Sequence, residues 1–239
     1  MIAQQSLSSA NEVLAKIKRA LLTRKSFSLI RLGNGEALTL AHGVLVPMEQ
    51  MPDWLTYAGV RLPDETARQE LLNAIKTADI VGISTDRANW DCAPLLRKVF
   101  AHYNLRPRVL TDAAINWQLH RFDRLYHFLQ GAPVALIGRV APAAAPLLQK
   151  KGVNIVSVVT LEGLADIPRA ESQILSGPPF RVALVAAGIP ATILCPRLAR
   201  KTNCIAIDYG HVINDLLKPG FNTLDLPGTV ALWNQGIHF

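Results

Sequence analysis

The chain has 239 residues, half of them hydrophobic, and its 25 Lys and Arg against 18 Asp and Glu give a net charge of +7. That length admits one large α/β domain or two small ones, and the apolar share is enough for a substantial core. No apolar run approaches the roughly 18 residues of a membrane span; the longest, over residues 182–195, is interrupted by Gly188-Ile189-Pro190.

Residues 1–10 are polar and carry neither the basic start nor the apolar stretch of an export signal. Cys92, Cys195 and Cys204 are odd in number, with no CxxC pair. That argues against a zinc cluster and fits a reducing cytoplasm. The excess of cations favours anionic partners. Its basic residues are scattered over helices, with Arg106-Pro107-Arg108 the densest loop cluster. Nucleic acid usually asks for a concentrated basic stripe interleaved with aromatics, and a phosphorylated small molecule fits as well.

In chain order, residues 9–25 read as a helix capped by Ser8 or Ser9, with Val13, Leu14, Ile17, Ala20 and Leu21 on one stripe. A strand over 27–31 breaks sharply at Gly33-Asn34-Gly35-Glu36, after which the pattern is helical until Gly43 or Pro47. The loop with Pro47, Pro52 and Trp54 is long enough to form a lid or a rim. Asp64 caps a helix that runs to residue 78 and feeds a strand over 79–84. The polar segment 85–91 then falls at a strand's carboxyl end, where open α/β sheets bind ligands. Next come a helix over 93–103, a strand over 108–111 and one long amphipathic helix over 113–129 that exposes Asn116, Trp117, His120 and Arg121. Strands over 133–138, 153–159, 181–186 and 204–208 alternate with helices over 143–151, 164–175 and 191–201. Pro190 sits at the first turn of the last of these helices.

Parallel neighbours need crossover helices, so this alternation predicts an α/β fold: a single Rossmann-like domain over 1–239 with a doubly wound, mainly parallel sheet of about six or seven strands and helices on both faces. A helix within 1–25 and a tail over 218–239 attach to a core over 26–217. The tail, with Trp233 and Phe239, packs back on the sheet or on a second copy, which would make a homo-oligomer.

Three turns fall at predicted carboxyl ends of strands: Gly33 to Glu36, Gly188-Ile189-Pro190, and Asp208-Tyr209-Gly210-His211. Such ends share one edge of an α/β sheet. Paired glycines let a backbone approach a ligand, and a helix starting there points N–H groups at an anion. Arg31 adds a cation for phosphate. Glu36 and Asp208 are oxygen ligands suited to Mg²⁺ or Mn²⁺, which would bridge a diphosphate, and His211 or a carboxylate would move a proton. Plainer roles compete. Gly33-Asn34-Gly35 reads equally as a tight turn with Asn left-handed. Asp208 reads as a helix cap, His211 as an interior histidine, Trp54, Trp90 and Trp117 as packing residues, and Asn116 with His120 as a solvated face. Other chemistries lack their motifs. Leu38 stands where GxGxxG needs its third glycine, and GxxxxGK[ST], GxSxG and HExxH are absent.

The run Phe27-Ser28-Leu29-Ile30-Arg31-Leu32-Gly33-Asn34-Gly35-Glu36 resembles the strand and Arg-x-Gly-Asp-Gly-Glu signature of the GT-D-type glycosyltransferases, single-domain Rossmann-like enzymes. Ala206-Ile207-Asp208-Tyr209-Gly210-His211, preceded by Leu184-Val185-Ala186-Ala187-Gly188 and a helix, resembles that family's closing block. The resemblance covers about residues 26–215. It implies transfer of a sugar from a nucleotide sugar, a UDP-sugar, to a cell-surface glycan or glycoprotein, by a cytoplasmic enzyme using Mn²⁺ or Mg²⁺ held through an Asp-x-Glu motif. Carried onto this chain, the donor is expected at Arg31, Gly33, Asn34, Gly35, Gly188 and Gly210, and the metal at Glu36 and Asn34. Glu36, Asp208 and His211 are expected to carry the chemistry, and Asp86, Trp90, Asn116 and His120 to line the acceptor side or rim. Neither nucleic acid nor a transmembrane segment belongs to this expectation. Asn34 stands where the motif has Asp. Its neutral carbonyl oxygen can ligate a hard cation but brings no charge, so a non-catalytic nucleotide-sugar or glycan-binding module of the same fold is the rival expectation.

Overall fold

Seven short apolar runs pair into one sheet: β1 (Phe27–Leu32), β2 (Ile80–Ile83), β3 (Leu110–Asp112), β4 (Val134–Gly138), β5 (Ile155–Val159), β6 (Val182–Ala186) and β7 (Ile205–Asp208). In this computed structural model, residues 6–84 and 92–218 are described. Asp86 and Trp90, expected on the rim, and the tail residues Trp233 and Phe239 lie outside them. Every strand pairing is parallel, in the order β3-β2-β1-β7-β6-β4-β5. Among the described residues the sheet is therefore wholly parallel. The residues of β2, β4, β6 and β7 are all buried, which is why these strands read as unbroken apolar runs.

The intervening segments form α1 (Ala10–Thr23), α2 (Asn34–Ala41), α3 (Glu65–Thr77), α4 (Ala93–His102), α5 (Ile115–His120), α6 (Arg124–Leu129), α7 (Ala141–Lys150), α8 (Ile167–Ser176), α9 (Ile189–Thr202) and α10 (Val212–Leu217). Two cores result, one on each face of the sheet. Ile30 and Leu32 of β1 join the core with α2, α3, α4, α8 and α9, whereas Phe27 and Leu29 join the core with α1, α5, α6, α7 and α10. That split follows from the two-residue period of a strand.

Local chemistry sets the helix starts. Ser9 and Glu12 form a reciprocal capping box on α1, and Asp64 accepts the Ala67 N–H at 2.8 Å to open α3. The lead-in to α1 is tied to the edge strand, with Ser8 N–H on the Leu110 carbonyl at 2.8 Å and the Thr111 hydroxyl on the Ser8 carbonyl at 2.7 Å. This first helix is thus part of the second core rather than an attachment.

Two expectations change. The single helix expected over 113–129 is broken into α5, a 3-10 turn (Arg121–Asp123) and α6. Asp123 takes a left-handed backbone, φ 52°, and its carboxylate pairs with Lys151 at 2.7 Å. On either side of the break Ile115, Leu119, Leu125, Tyr126 and Leu129 all face one core. Asn116 is buried to 1% exposure, where an exposed face was expected. The second change is at Gly33. The helix α2 begins at Asn34, and Gly33 is its N-cap in an extended conformation, φ −108°. There is no left-handed turn at Asn34; Gly35 and Glu36 belong to the first helical turn.

Candidate functional site

Adjacent strands β1 and β7 send their chains to opposite faces, β1 into α2 and β7 into α10. Diverging connections of this kind open a crevice at the carboxyl edge of a parallel sheet. Arg31 and Asp208 occupy it.

The Arg31 guanidinium donates from Nη2 to Asp208 Oδ1 at 2.9 Å, from Nε to the Asp208 carbonyl at 3.2 Å and from Nη1 to the Ala113 carbonyl at 3.3 Å. Both side chains are mostly covered, 13% and 4% exposed. Three of the five guanidinium N–H groups are thereby engaged among the described residues, leaving two for a ligand. Glycines make the room. Gly210 has φ +55°, and a Cβ there would lie 1.8 Å from Arg31 Nη2; Gly82, beside Arg31 on β2, would place a Cβ 3.2 Å from Arg31 Cγ. Gly82 was not among the expected site residues, although a glycine inside a strand is a signal of close approach.

Glu36 projects from the first turn of α2 into the same region. Its Oε2 accepts the Gly33 N–H at 2.9 Å and its Oε1 the Thr192 hydroxyl at 3.2 Å. Thr192, on α9, is also 3.2 Å from the Arg31 carbonyl and was not anticipated. Burial pushes the Glu36 carboxyl above the usual carboxylate range, and the Asp208 charge pushes it further. Burial raises Asp208 as well, against the pull of Arg31. At the start of α10, burial and then the Arg31 charge hold His211 down to about 4. Its imidazole is neutral at pH 7, with Nδ1 3.4 Å from Asn214 Nδ2.

Gly35 packs the start of α2 onto α9, where an added Cβ would stand 3.3 Å from Ile189. Gly188 is left-handed, φ +63°, because the Ala58 carbonyl approaches to within 2.7 Å of where its Cβ would be and receives the Ile189 N–H. The rim loop with Pro47, Pro52 and Trp54 therefore leads to a packed contact at the head of α9.

A profile of the GT-D fold-like domain matches residues 8–216. The chain belongs to the GT-D fold-like domain family. A solved structure described as the highly conserved domain of unknown function 1792, with a distinct glycosyltransferase fold, aligns with a TM-score of 0.62 at 16% identity, covering 88% of this chain and 80% of the other. A selenomethionine-substituted structure of a domain of the same name aligns with the same values. No curated protein matches the chain.

Within this GT-D fold, the residues expected to hold the donor gather along the heads of β1, α2, α9 and β7. Those expected to hold a metal do not fit one as arranged. A divalent cation of the Mg²⁺ type wants several oxygens, carboxylates among them. Glu36 commits both oxygens to Gly33 and Thr192, Asn34 offers a neutral amide, and Asp208 is bound to Arg31. Among the described residues no group of three His, Cys, Asp or Glu could hold a metal. Of the acceptor-side residues, Asn116 is structural: it donates to the Tyr209 carbonyl at 3.0 Å and accepts the Trp117 N–H. His120 lies in a separate cluster, with Nδ1 2.6 Å from the Tyr126 hydroxyl and Nε2 3.1 Å from Asp215 Oδ2. No helix of the described residues is long and apolar enough to cross a membrane.

Proposed function

We propose that this chain is a cytoplasmic glycosyltransferase that moves a sugar from a nucleotide sugar, a UDP-sugar, to a cell-surface glycan or glycoprotein. The observation that carries the reading is the β1–β7 crevice with Arg31 at its floor and the head of α2 at its edge. The donor diphosphate would lie against the first N–H groups of α2 and the two remaining guanidinium N–H groups of Arg31. Asp208 holds that guanidinium in place. In the reaction the acceptor hydroxyl forms a bond to the anomeric carbon while the bond from that carbon to the diphosphate oxygen breaks, and the diphosphate leaves with the electron pair. Neutral His211 supplies a place for the hydroxyl's proton. No part of this step is assigned to Mn²⁺ or Mg²⁺, because Glu36 and Asp208 are already committed to Gly33, Thr192 and Arg31.

A calorimetric scan of UDP and UDP-sugars, with and without Mn²⁺, tests this. Binding that weakens on Arg31→Lys is the expected result, and absence of nucleotide binding removes the reading. Asn34 and the capped Glu36 favour one second reading, a non-catalytic nucleotide-sugar or glycan-binding module. Wild-type turnover that falls with Glu36→Ala rules that out, whereas metal-dependent turnover gained only in Asn34→Asp supports a degraded enzyme.

A further inference from the structure

A cavity of about 350 Å³ opens between α5 and α10, lined by Trp117, His120, Arg121, Asp123 and Asp215. Its volume falls within the roughly 300–1,000 Å³ of small-molecule sites. The walls are built rather than incidental. Asp215 Oδ2 accepts a hydrogen bond from the His120 Nε2–H, because a carboxylate can only accept. The other ring nitrogen meets the Tyr126 hydroxyl, which in turn bonds the buried Tyr209 hydroxyl. The imidazole is thus fixed from both sides, with Trp117 set perpendicular to it at 6.3 Å between ring centres. His120 and Asp215 remain 13% and 25% exposed.

The chemistry of these walls selects a ligand. Trp117, half-buried, offers an indole surface against which an apolar ring face can lie. Around it stand a carboxylate acceptor, guanidinium donors and an imidazole. Formal charges nearly cancel: Lys151 pairs with Asp123, and Arg121 offsets Asp215. A neutral polyhydroxylated ring matches this balance better than a phosphate or an ammonium does. Asn116 links the wall of this cavity to the crevice. Asn116, one residue before Trp117, donates to the Tyr209 carbonyl and stands 3.2 Å from where a Gly210 Cβ would lie, beside the Arg31 guanidinium.

We infer that this cavity is the acceptor subsite of the proposed transferase, holding a neutral sugar ring on Trp117 with its hydroxyls on Asp215, Arg121 and Asp123. The assignment rests on the transferase reading for its role, and on the cavity alone for its ligand class. The test is saturation-transfer NMR and titration of the full chain with methyl glycosides of glucose, galactose and N-acetylglucosamine, with glucuronate as the acidic arm and UDP as a separate probe. A neutral glycoside should bind wild type, weaken about tenfold or more in Trp117→Ala and recover in Trp117→Phe, while UDP affinity stays unchanged in both. Equal glycoside binding by wild type and Trp117→Ala, or none by wild type, overturns the inference. Preference for glucuronate overturns the neutral assignment. Glycoside binding that depends on Trp117 without any UDP binding would sink the donor reading and leave a saccharide site standing.

Discussion

Gly210 and Gly43 are both left-handed, at φ +55° and φ +65°, but they differ in what a side chain would meet. Around Gly43 nothing lies within 4 Å, so Gly43→Ala reports backbone strain alone, about 1 kcal/mol at the lower end for such a conformation. At Gly210 the new methyl would stand 1.8 Å from Arg31 Nη2 and 2.7 Å from its Cζ. The end of an arginine normally swings aside at little cost. Here it is held by three hydrogen bonds, to Asp208 twice and to Ala113. Displacing it strands a carboxylate whose side chain is only 4% exposed, a loss of about 3–5 kcal/mol if the pair breaks completely. Gly210→Ala should therefore cost up to roughly 4–6 kcal/mol against about 1 for Gly43→Ala, both read from urea unfolding at pH 7. Equal losses for the two variants would refute the claim that Gly210 exists to admit the guanidinium.

Glu36→Gln keeps an oxygen for the Gly33 N–H but removes the charge. Because burial raises the folded Glu36 pKa, its contribution to stability is present below its ordinary value and is lost as pH rises through the raised one. The stability of Glu36→Gln relative to wild type should grow as pH rises above about 4.5; a constant difference in urea melts would sink the idea. His211 works the other way. With its pKa held down to about 4, its contribution is present above the ordinary histidine value near 6.5 and is lost on acidification towards 4. His211→Asn should flatten that acid limb, and an unchanged limb would count against its burial. Tyr126→Phe leaves the buried Tyr209 hydroxyl without its Tyr126 partner, at about 1–3 kcal/mol. A Tyr126→Phe, Tyr209→Phe double variant should cost less than the sum of the single changes, and strict additivity in a double-mutant cycle would contradict the bond.

Much of the fold was legible because it rests on local signals. Alternating apolar runs and helices, the Asp64 cap and Pro190 at the head of α9 place the elements within a few residues. What stayed hidden depends on partners distant in sequence. Arg31 read as a free phosphate clamp, yet two of its donors go to Asp208, 177 positions away. Asn116 and His120 read as one exposed face of a long helix, since their spacing gives no hint of the break at Asp123 or of the Tyr126–Tyr209 pair behind it. Gly210 read as a ligand-approach glycine, but the group that approaches it belongs to the protein.

Glu36 fits two roles that the sequence does not separate. An acid at the third position of a helix is a capping residue as well as the second half of an Asp-x-Glu metal motif, and here it does accept the Gly33 N–H. Its presence therefore cannot separate a metal site from a helix cap; only the residue two positions earlier can. An Asp introduced at position 34 would sit on the first turn of α2, where the helix dipole favours a negative charge by about 0.3–1 kcal/mol. Asn34→Asp should thus fold at least as well as wild type. Any Mn²⁺ affinity that it gains would come from the added charge rather than from repacking.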